Sequence, residues 1–197
     1  MTDNKEKINE CVARGISYLI EENYDQAIEA YTEAIKLSPD ESLLYFGRGT
    51  AFGSKGNINN AIEDYSLAIQ FNPNSADAYL FRGIEHSKKG NNECAIEDYN
   101  QAIQLDPNNA MAYKRRGLAY IKGNQDLAIK DFDQAIQLNP NDADAYANRG
   151  LAYAINMDFD SAIANIKEAL RIKPDDAEVN KLLEFIQQGQ KSQPNWK

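Results

Sequence analysis

Thiols, imidazoles and basic charge are all scarce in this chain, and each scarcity removes a class of function. Cys11 and Cys94 are the only cysteines; they lie far apart and outside any metal-ligand spacing, so neither a disulfide framework nor a zinc site is expected. Lys and Arg number 21 against 30 Asp and Glu, for a net charge of −9. Phosphate binding rests on clustered Lys and Arg, so nucleic acid is not an expected partner. No apolar run approaches the roughly 18 residues that a membrane helix needs. Met1 to Glu10 is polar and lacks the apolar core of a signal peptide, which makes a cytoplasmic address without membrane association the expectation. The glycines are isolated rather than clustered, so no phosphate-cradling loop is formed, and no cofactor or metal is expected.

Apolar residues make up 43% of the chain, enough for a sizeable core, and they are arranged with a long period. Pro39, Pro73, Pro107, Pro140 and Pro174 follow one another at intervals of 34, 34, 33 and 34 residues. Gly15, Gly49, Gly83, Gly117 and Gly150 keep the same rhythm. So do Ala27, Ala61, Ala95, Ala128 and Ala162, and the alanines seven residues after each of them. Four residue classes in phase over five copies define an internal repeat.

Each copy reads as two helices. In the second, Tyr45, Gly49 and Phe52 share one helical face, and Ala61, Tyr65, Ala68 and Ile69 share another. Ser54-Lys55-Gly56-Asn57 between them is a polar turn with a glycine available for a left-handed cap. Proline excludes the residue before it from the α region, so each second helix stops there. Ser75, Asn109, Asp142 and Asp176 then stand where a short side chain caps the next helix. Gly and Ala let the paired helices approach closely, and the aromatic residues fill the volume beside them.

This order of aromatic, Gly, aromatic, Ala, aromatic, Ala and Pro resembles the tetratricopeptide repeat. The fifth copy shows it as Tyr146, Gly150, Tyr153, Ala162, Ile166, Ala169 and Pro174. The resemblance covers about residues 8 to 176 and implies an all-α fold, a right-handed superhelical α-solenoid of helix-turn-helix repeats. The boundaries expected are a polar lead at 1–7, repeats at 8–41, 42–75, 76–109, 110–142 and 143–176, and a capping helix at 177–189 that Gly189 ends. A flexible tail at 190–197 would follow. Cys11, His86 and Ile166 each replace an aromatic of the pattern, and repeat four lacks one residue near Lys122-Gly123.

Catalysis finds no support in this pattern. His86, the only histidine, falls on a packing face, and Cys11 and Cys94 read as small apolar residues. Acidic pairs such as Glu63-Asp64 recur with the repeat and therefore read as structural. The chain is expected not to be an enzyme. An arginine precedes the helix glycine in every copy: Arg14, Arg48, Arg82, Arg116 and Arg149. A buried guanidinium needs an anionic partner, and Asp64, Asp98 and Asp131 are the candidates. Pairing within a repeat would join Arg48 to Asp64, Arg82 to Asp98 and Arg116 to Asp131. Pairing to the preceding repeat would join Arg82 to Asp64, Arg116 to Asp98 and Arg149 to Asp131. Both registers remain open at the level of sequence.

The family resemblance implies that first helices line a concave groove. The groove set includes Val12, Ile16 and Leu19; Phe46, Thr50 and Gly53; Leu80, Ile84 and Ser87; Lys114, Leu118 and Ile121; and Ala147, Leu151 and Ala154. Leu43, Phe81, Met111, Arg115 and Asn148 adjoin it. The residues expected to touch a partner are Phe46, Leu80, Phe81, Ile84, Met111, Lys114, Arg115, Leu118, Asn148 and Leu151. Apolar grooves between helices accept amphipathic helices or extended peptides. Some family members clamp the carboxyl terminus of heat-shock chaperones with a Lys and Asn set. Lys114 and Asn148 fit two of those positions, but Leu118, Glu178 and Leu182 occupy others, so the clamp is broken. The expected function is a protein-interaction adaptor for an apolar peptide or helix, with a self-associating scaffold as the alternative.

Overall fold

The computed structural model describes residues 2–192. Among the described residues there are eleven α-helices and no strand. In order they are α1 (Thr2–Ile20), α2 (Tyr24–Leu37), α3 (Ser42–Ser54), α4 (Ile58–Phe71), α5 (Ala76–Lys88), α6 (Asn92–Leu105), α7 (Ala110–Tyr120), α8 (Gln125–Leu138), α9 (Ala143–Ile155), α10 (Phe159–Ile172) and α11 (Ala177–Ser192). They fall into two compact units, one running through Pro107 and the other beginning at Asn108. In unit one, α1 packs on α2, α3 on α4 and α5 on α6, with α2 against α3 and α4 against α5. In unit two, α7 packs on α8, α8 on α9, α9 on α10 and α10 on α11.

The punctuation is chemical. Ser38, Asn72, Asp106, Asn139 and Lys173 each precede a proline, and each closes its helix in an extended conformation with ψ between 82 and 91°. Ser75, Asn109 and Asp142 accept hydrogen bonds from the backbone amides of Ala78, Ala112 and Ala145, and Asp176 accepts from Val179. Gly56 and Gly90 turn the chain with φ of +87 and +85°. At the same point of the first and fifth pairs, Glu22 and Met157 adopt φ of 57 and 64°, a conformation that a Cβ makes costly. The missing residue of the fourth copy shortens α7 to 11 residues, against 13 in α3, α5 and α9. Asn124 still caps α8 through Leu127.

Two expected boundaries differ. The polar lead is helical, since α1 starts at Thr2 and its Lys and Glu residues are good helix formers. Gly189 does not stop α11, which continues to Ser192; a Cβ there would stand 3.2 Å from Phe159, so this glycine serves close packing. Residues 193–197 of the expected tail lie outside the described residues.

The core of each helix pair is a large side chain set against a glycine, a ring in the first four pairs and Ile166 in the fifth. A Cβ on Gly15, Gly49, Gly83, Gly117 or Gly150 would approach Tyr31, Tyr65, Tyr99, Phe132 or Ile166 to 2.7, 3.0, 2.7, 2.9 or 2.9 Å. All five partner side chains are buried. Gly47 adds a second contact, because a Cβ there would collide with the other edge of the Tyr31 ring. Gly47→Ala is therefore expected to destabilise the protein by about 1–3 kcal/mol through overpacking. Met157→Gly should stabilise it by about 1 kcal/mol by relieving the left-handed backbone. Thermal denaturation checks both signs, and a harmless Gly47→Ala would contradict the close approach.

Candidate partner-binding surfaces

The first charged feature to place is the arginine series. Nε and Nη2 of Arg48 donate to the two carboxylate oxygens of Asp64, each at 2.8 Å. Arg82 does the same to Asp98 at 3.0 and 2.7 Å, and Arg116 to Asp131 at 2.8 and 2.7 Å. All three carboxylates are buried. The pairs therefore form within a repeat. Hydrogen bonding to the carboxylate raises the pKa of Arg48, Arg82 and Arg116 against the opposing effect of burial. The preceding repeat contributes a neutral group instead: Nη1 of Arg48 donates to Thr32 Oγ1 at 3.2 Å, and Nη1 of Arg82 to Ser66 Oγ at 3.1 Å. Arg149 is inverted. Its Nε donates to Asn165 Oδ1 within the repeat at 2.7 Å, and its Nη1 reaches back to Asp133. The alternative register, in which Arg149 takes Asp131 and Arg82 takes Asp64, is not formed. Beneath each guanidinium lies the ring of Tyr45, Tyr79, Tyr113 or Tyr146, at 5.4 to 5.7 Å from its centroid.

These bonds also settle the place of the lone imidazole. His86 Nε2 is 4.0 Å from Asp98 Oδ2, an oxygen already bonded to Arg82, and Nδ1 is buried without a hydrogen-bond partner. Burial lowers its pKa more than Asp98 raises it. Cys11 is buried as expected, whereas Cys94 is exposed, so the reading of Cys94 as a packed apolar residue is corrected. It stands one position before the buried Ala95.

Unit one contains a cleft of 820 Å³ between α1 and α3. Its walls are mainly apolar: Ile8, Val12, Ile16 and Leu19 from α1, and Leu43, Phe46 and Thr50 from α3. Lys5 and Glu41 stand at its polar margins, and the buried Tyr31 ring backs it beside Gly47. Ile16 is 50% exposed and Leu43 70% exposed, so both offer apolar surface to solvent. Of the expected partner contacts in this unit, only Phe46 lines the cleft. Phe46 also packs edge-on against Phe81 at 5.5 Å and against Tyr65 at 5.7 Å. Ile84 and Phe81 are half-buried outside the cleft. Leu80 is 2% exposed and is corrected to a core residue, because its position turns inward between the helices. Gly47 was the available signal for this cleft: the same position holds Phe81, Arg115 and Asn148 in the next three copies.

Unit two contains a smaller cleft of 310 Å³. Lys114, Arg115, Leu118, Asn148 and Leu151, five residues singled out from sequence, line it together with Asp144, Ala147, Asp176, Glu178, Val179 and Leu182. Met111 is exposed but does not line it. Lys114 is bonded to Asp142 at 2.7 Å and lies 3.9 Å from Asp144, so its charge is compensated within the unit. Sequence reasoning passed over Phe185 of α11, which is 73% exposed.

Comparison with known proteins places this geometry. The family described as TPR repeat matches residues 15–56, 49–90, 83–122 and 120–156, and the family described as Tetratricopeptide repeat matches 143–176. No curated protein matches the chain. Among solved structures, MamA protein is 28% identical, with 88% of this chain and 96% of that one covered and a TM-score of 0.77. YrrB, described as a TPR protein with an unusual peptide-binding site, is 21% identical, with 93% and 95% covered and a TM-score of 0.77. A tetratricopeptide repeat protein from Parabacteroides merdae is 19% identical, with 92% and 72% covered and a TM-score of 0.80. The last two likenesses concern the fold alone.

Two measurements test the charged and titratable groups. A double-mutant cycle of Arg82→Met with Asp98→Asn should show coupling of about 1–3 kcal/mol, and one with Asp64→Asn close to none. His86→Phe restores the aromatic of the other copies and removes an unsatisfied buried nitrogen, a gain of about 1–3 kcal/mol. The folded His86 resists protonation, so the wild type loses stability as pH falls below about 6.5, where the unfolded imidazole takes a proton. The melting temperature of the variant should therefore exceed that of the wild type by a margin that widens between about pH 7.5 and 5.5.

Proposed function

Because the chain belongs to the tetratricopeptide repeat family, whose matches run from residue 15 to 176, we propose that it is a non-catalytic adaptor. It holds a peptide or helical segment of a partner protein against its first helices. The repeat supplies a protein-interaction scaffold; the reading of where the partner sits rests on the cleft between α1 and α3. Ile16 and Leu43 leave large apolar side chains in water there, beside Val12, Phe46 and Leu19. Each anchor residue buried on such a wall contributes about 1.5–3 kcal/mol of gross transfer energy before ordering costs are subtracted. The peptide-binding description of YrrB is in keeping with this reading. Chaperone-tail clamping is not part of it, since Lys114 is already paired with Asp142. Asp98 and His86 do not serve as a base in this reading, since both oxygens of Asp98 are held by Arg82 and His86 is packed beside them.

An array of amphipathic and extended peptides, with hits titrated by calorimetry, tests the proposal. Ile16→Ser with Leu43→Ser should weaken the hits by about tenfold or more. Thermal unfolding should barely change, because both side chains are exposed. Leu80→Ser should instead lower the melting temperature markedly, as a buried residue does. Affinity should change less than about threefold between about 50 and 500 mM salt, since apolar burial is screened little. Hits that survive the double change and vanish on neutralising Lys114 and Arg115 would move the site to unit two and overturn the apolar reading.

A further inference from the structure

The cleft between α1 and α3 is backed by a hydroxyl that the fold leaves unused. Tyr31 is 4% exposed, and it lines the cleft together with Gly47. The hydroxyl end of its ring is the end that lies against α3, since a Cβ on Gly47 would stand 2.9 Å from the oxygen. Among the described residues this oxygen has no hydrogen-bond partner. Burial raises the pKa of the group, so it stays a neutral O–H donor. The other copies show what is missing. In the second, the Tyr65 hydroxyl donates to Thr50 Oγ1 at 3.4 Å. One repeat earlier, the place of that threonine is held by Ile16, which has no acceptor. Tyr99 in the third copy has an interaction of its own, and Phe132 and Ile166 in the last two carry no hydroxyl. The first pair keeps the hydroxyl and lacks the threonine.

We propose that the cleft takes an extended apolar segment of a partner protein, one of whose backbone carbonyls accepts a hydrogen bond from the Tyr31 hydroxyl. This rests on the reading of the cleft as the binding site and adds the conformation of its occupant. An apolar side chain laid over the oxygen would leave a buried donor unsatisfied, which is costly. A helix commits the carbonyls of its middle turns to its own amides, and its side chains hold its backbone away from the wall. An extended chain, above all one rich in proline, keeps its carbonyls free. Its side chains meanwhile meet the apolar wall of Val12, Ile16, Leu43 and Phe46.

Fluorescence anisotropy of labelled peptides on the intact chain tests this. The extended probe is a short capped peptide of alternating leucine and proline; the helical control carries as many leucines among alanine and glutamine. The extended probe should bind about tenfold or more tightly than the control. Tyr31→Phe should weaken it about three- to tenfold. The same change should not lower the melting temperature, since Phe132 fills the equivalent notch in the fourth pair. Replacing each leucine in turn by leucic acid weakens the preceding carbonyl as an acceptor. At one position this should cost about two- to fivefold on the wild type and nothing further on Tyr31→Phe. Ile16→Ser with Leu43→Ser should weaken both peptides. If neither peptide binds, or both survive that double change, the cleft reading fails and this inference with it. If both bind and both are lost by the double change, yet Tyr31→Phe holds the extended probe as tightly as the wild type, or the helical control binds as well, this inference alone is overturned. A marked fall in the melting temperature of Tyr31→Phe would give the hydroxyl a role inside the fold, and would also overturn it. So would sedimentation showing self-association that the double change removes and the probe does not compete with, because the occupant would then be a second copy.

Discussion

A bulky side chain resting on a glycine, planar in four of the five cases, holds each helix pair together, and most other features follow from it. Tyr31, Tyr65, Tyr99 and Phe132 project from the second helix of their pairs into the space that Gly15, Gly49, Gly83 and Gly117 leave on the first. The helices are thereby drawn close enough for Ala27, Ala61, Ala95 and Ala128 to be fully buried at the same contact. Branched aliphatic Ile166 performs the same task on Gly150 in the last pair, so the requirement is for a side chain that fills the notch, not for aromaticity itself. Close approach brings Arg48, Arg82 and Arg116, each next to its glycine, within reach of a carboxylate on the second helix. The guanidinium pairs are consequences of the interlock.

The helices, their caps and their stops were legible in the sequence because each depends on local chemistry with a short reach. A proline determines the conformation of the residue before it, and a serine or asparagine at a cap bonds an amide three residues away. The register of the arginine pairs was not legible, since Asp64 and Asp98 stand on successive second helices that the periodic pattern makes equivalent. Only the inter-helix geometry separates them, and it places the carboxylate in the same repeat and a hydroxyl in the preceding one.

The binding surface was less legible for a related reason. A helical wheel names the face that a residue occupies, but not how far a neighbouring helix covers it. Leu80 and Ile16 were assigned to one face by period, yet one is 2% exposed and the other 50%. Leu80 lies on α5, which packs against both α4 and α6, and period alone does not register that cover. In unit two the period served better: Lys114, Leu118, Asn148 and Leu151 line one cleft. The polar residues of that cleft, Asp144 and Glu178, come from positions that the apolar pattern ignores. Gly47 shows how a departure from the repeat can carry as much information as agreement, because its missing side chain makes room for the Tyr31 ring.

The two hands of the arginines decide where charge crosses between repeats. Arg48 and Arg82 grip their own repeats through charged, two-pronged bonds and touch the previous repeat through a neutral hydroxyl. These arginines thus spend their charge inside the repeat and offer only a neutral bond across the joint behind it. Arg149 reverses the order, taking a neutral amide inside its repeat and a carboxylate behind it. Its ionic contact therefore crosses the joint between the fourth and fifth repeats. One arginine series thus puts its charge inside the repeat in three copies and across the joint in the fifth, and the substitution of Asn165 for the aspartate of those three copies marks the change.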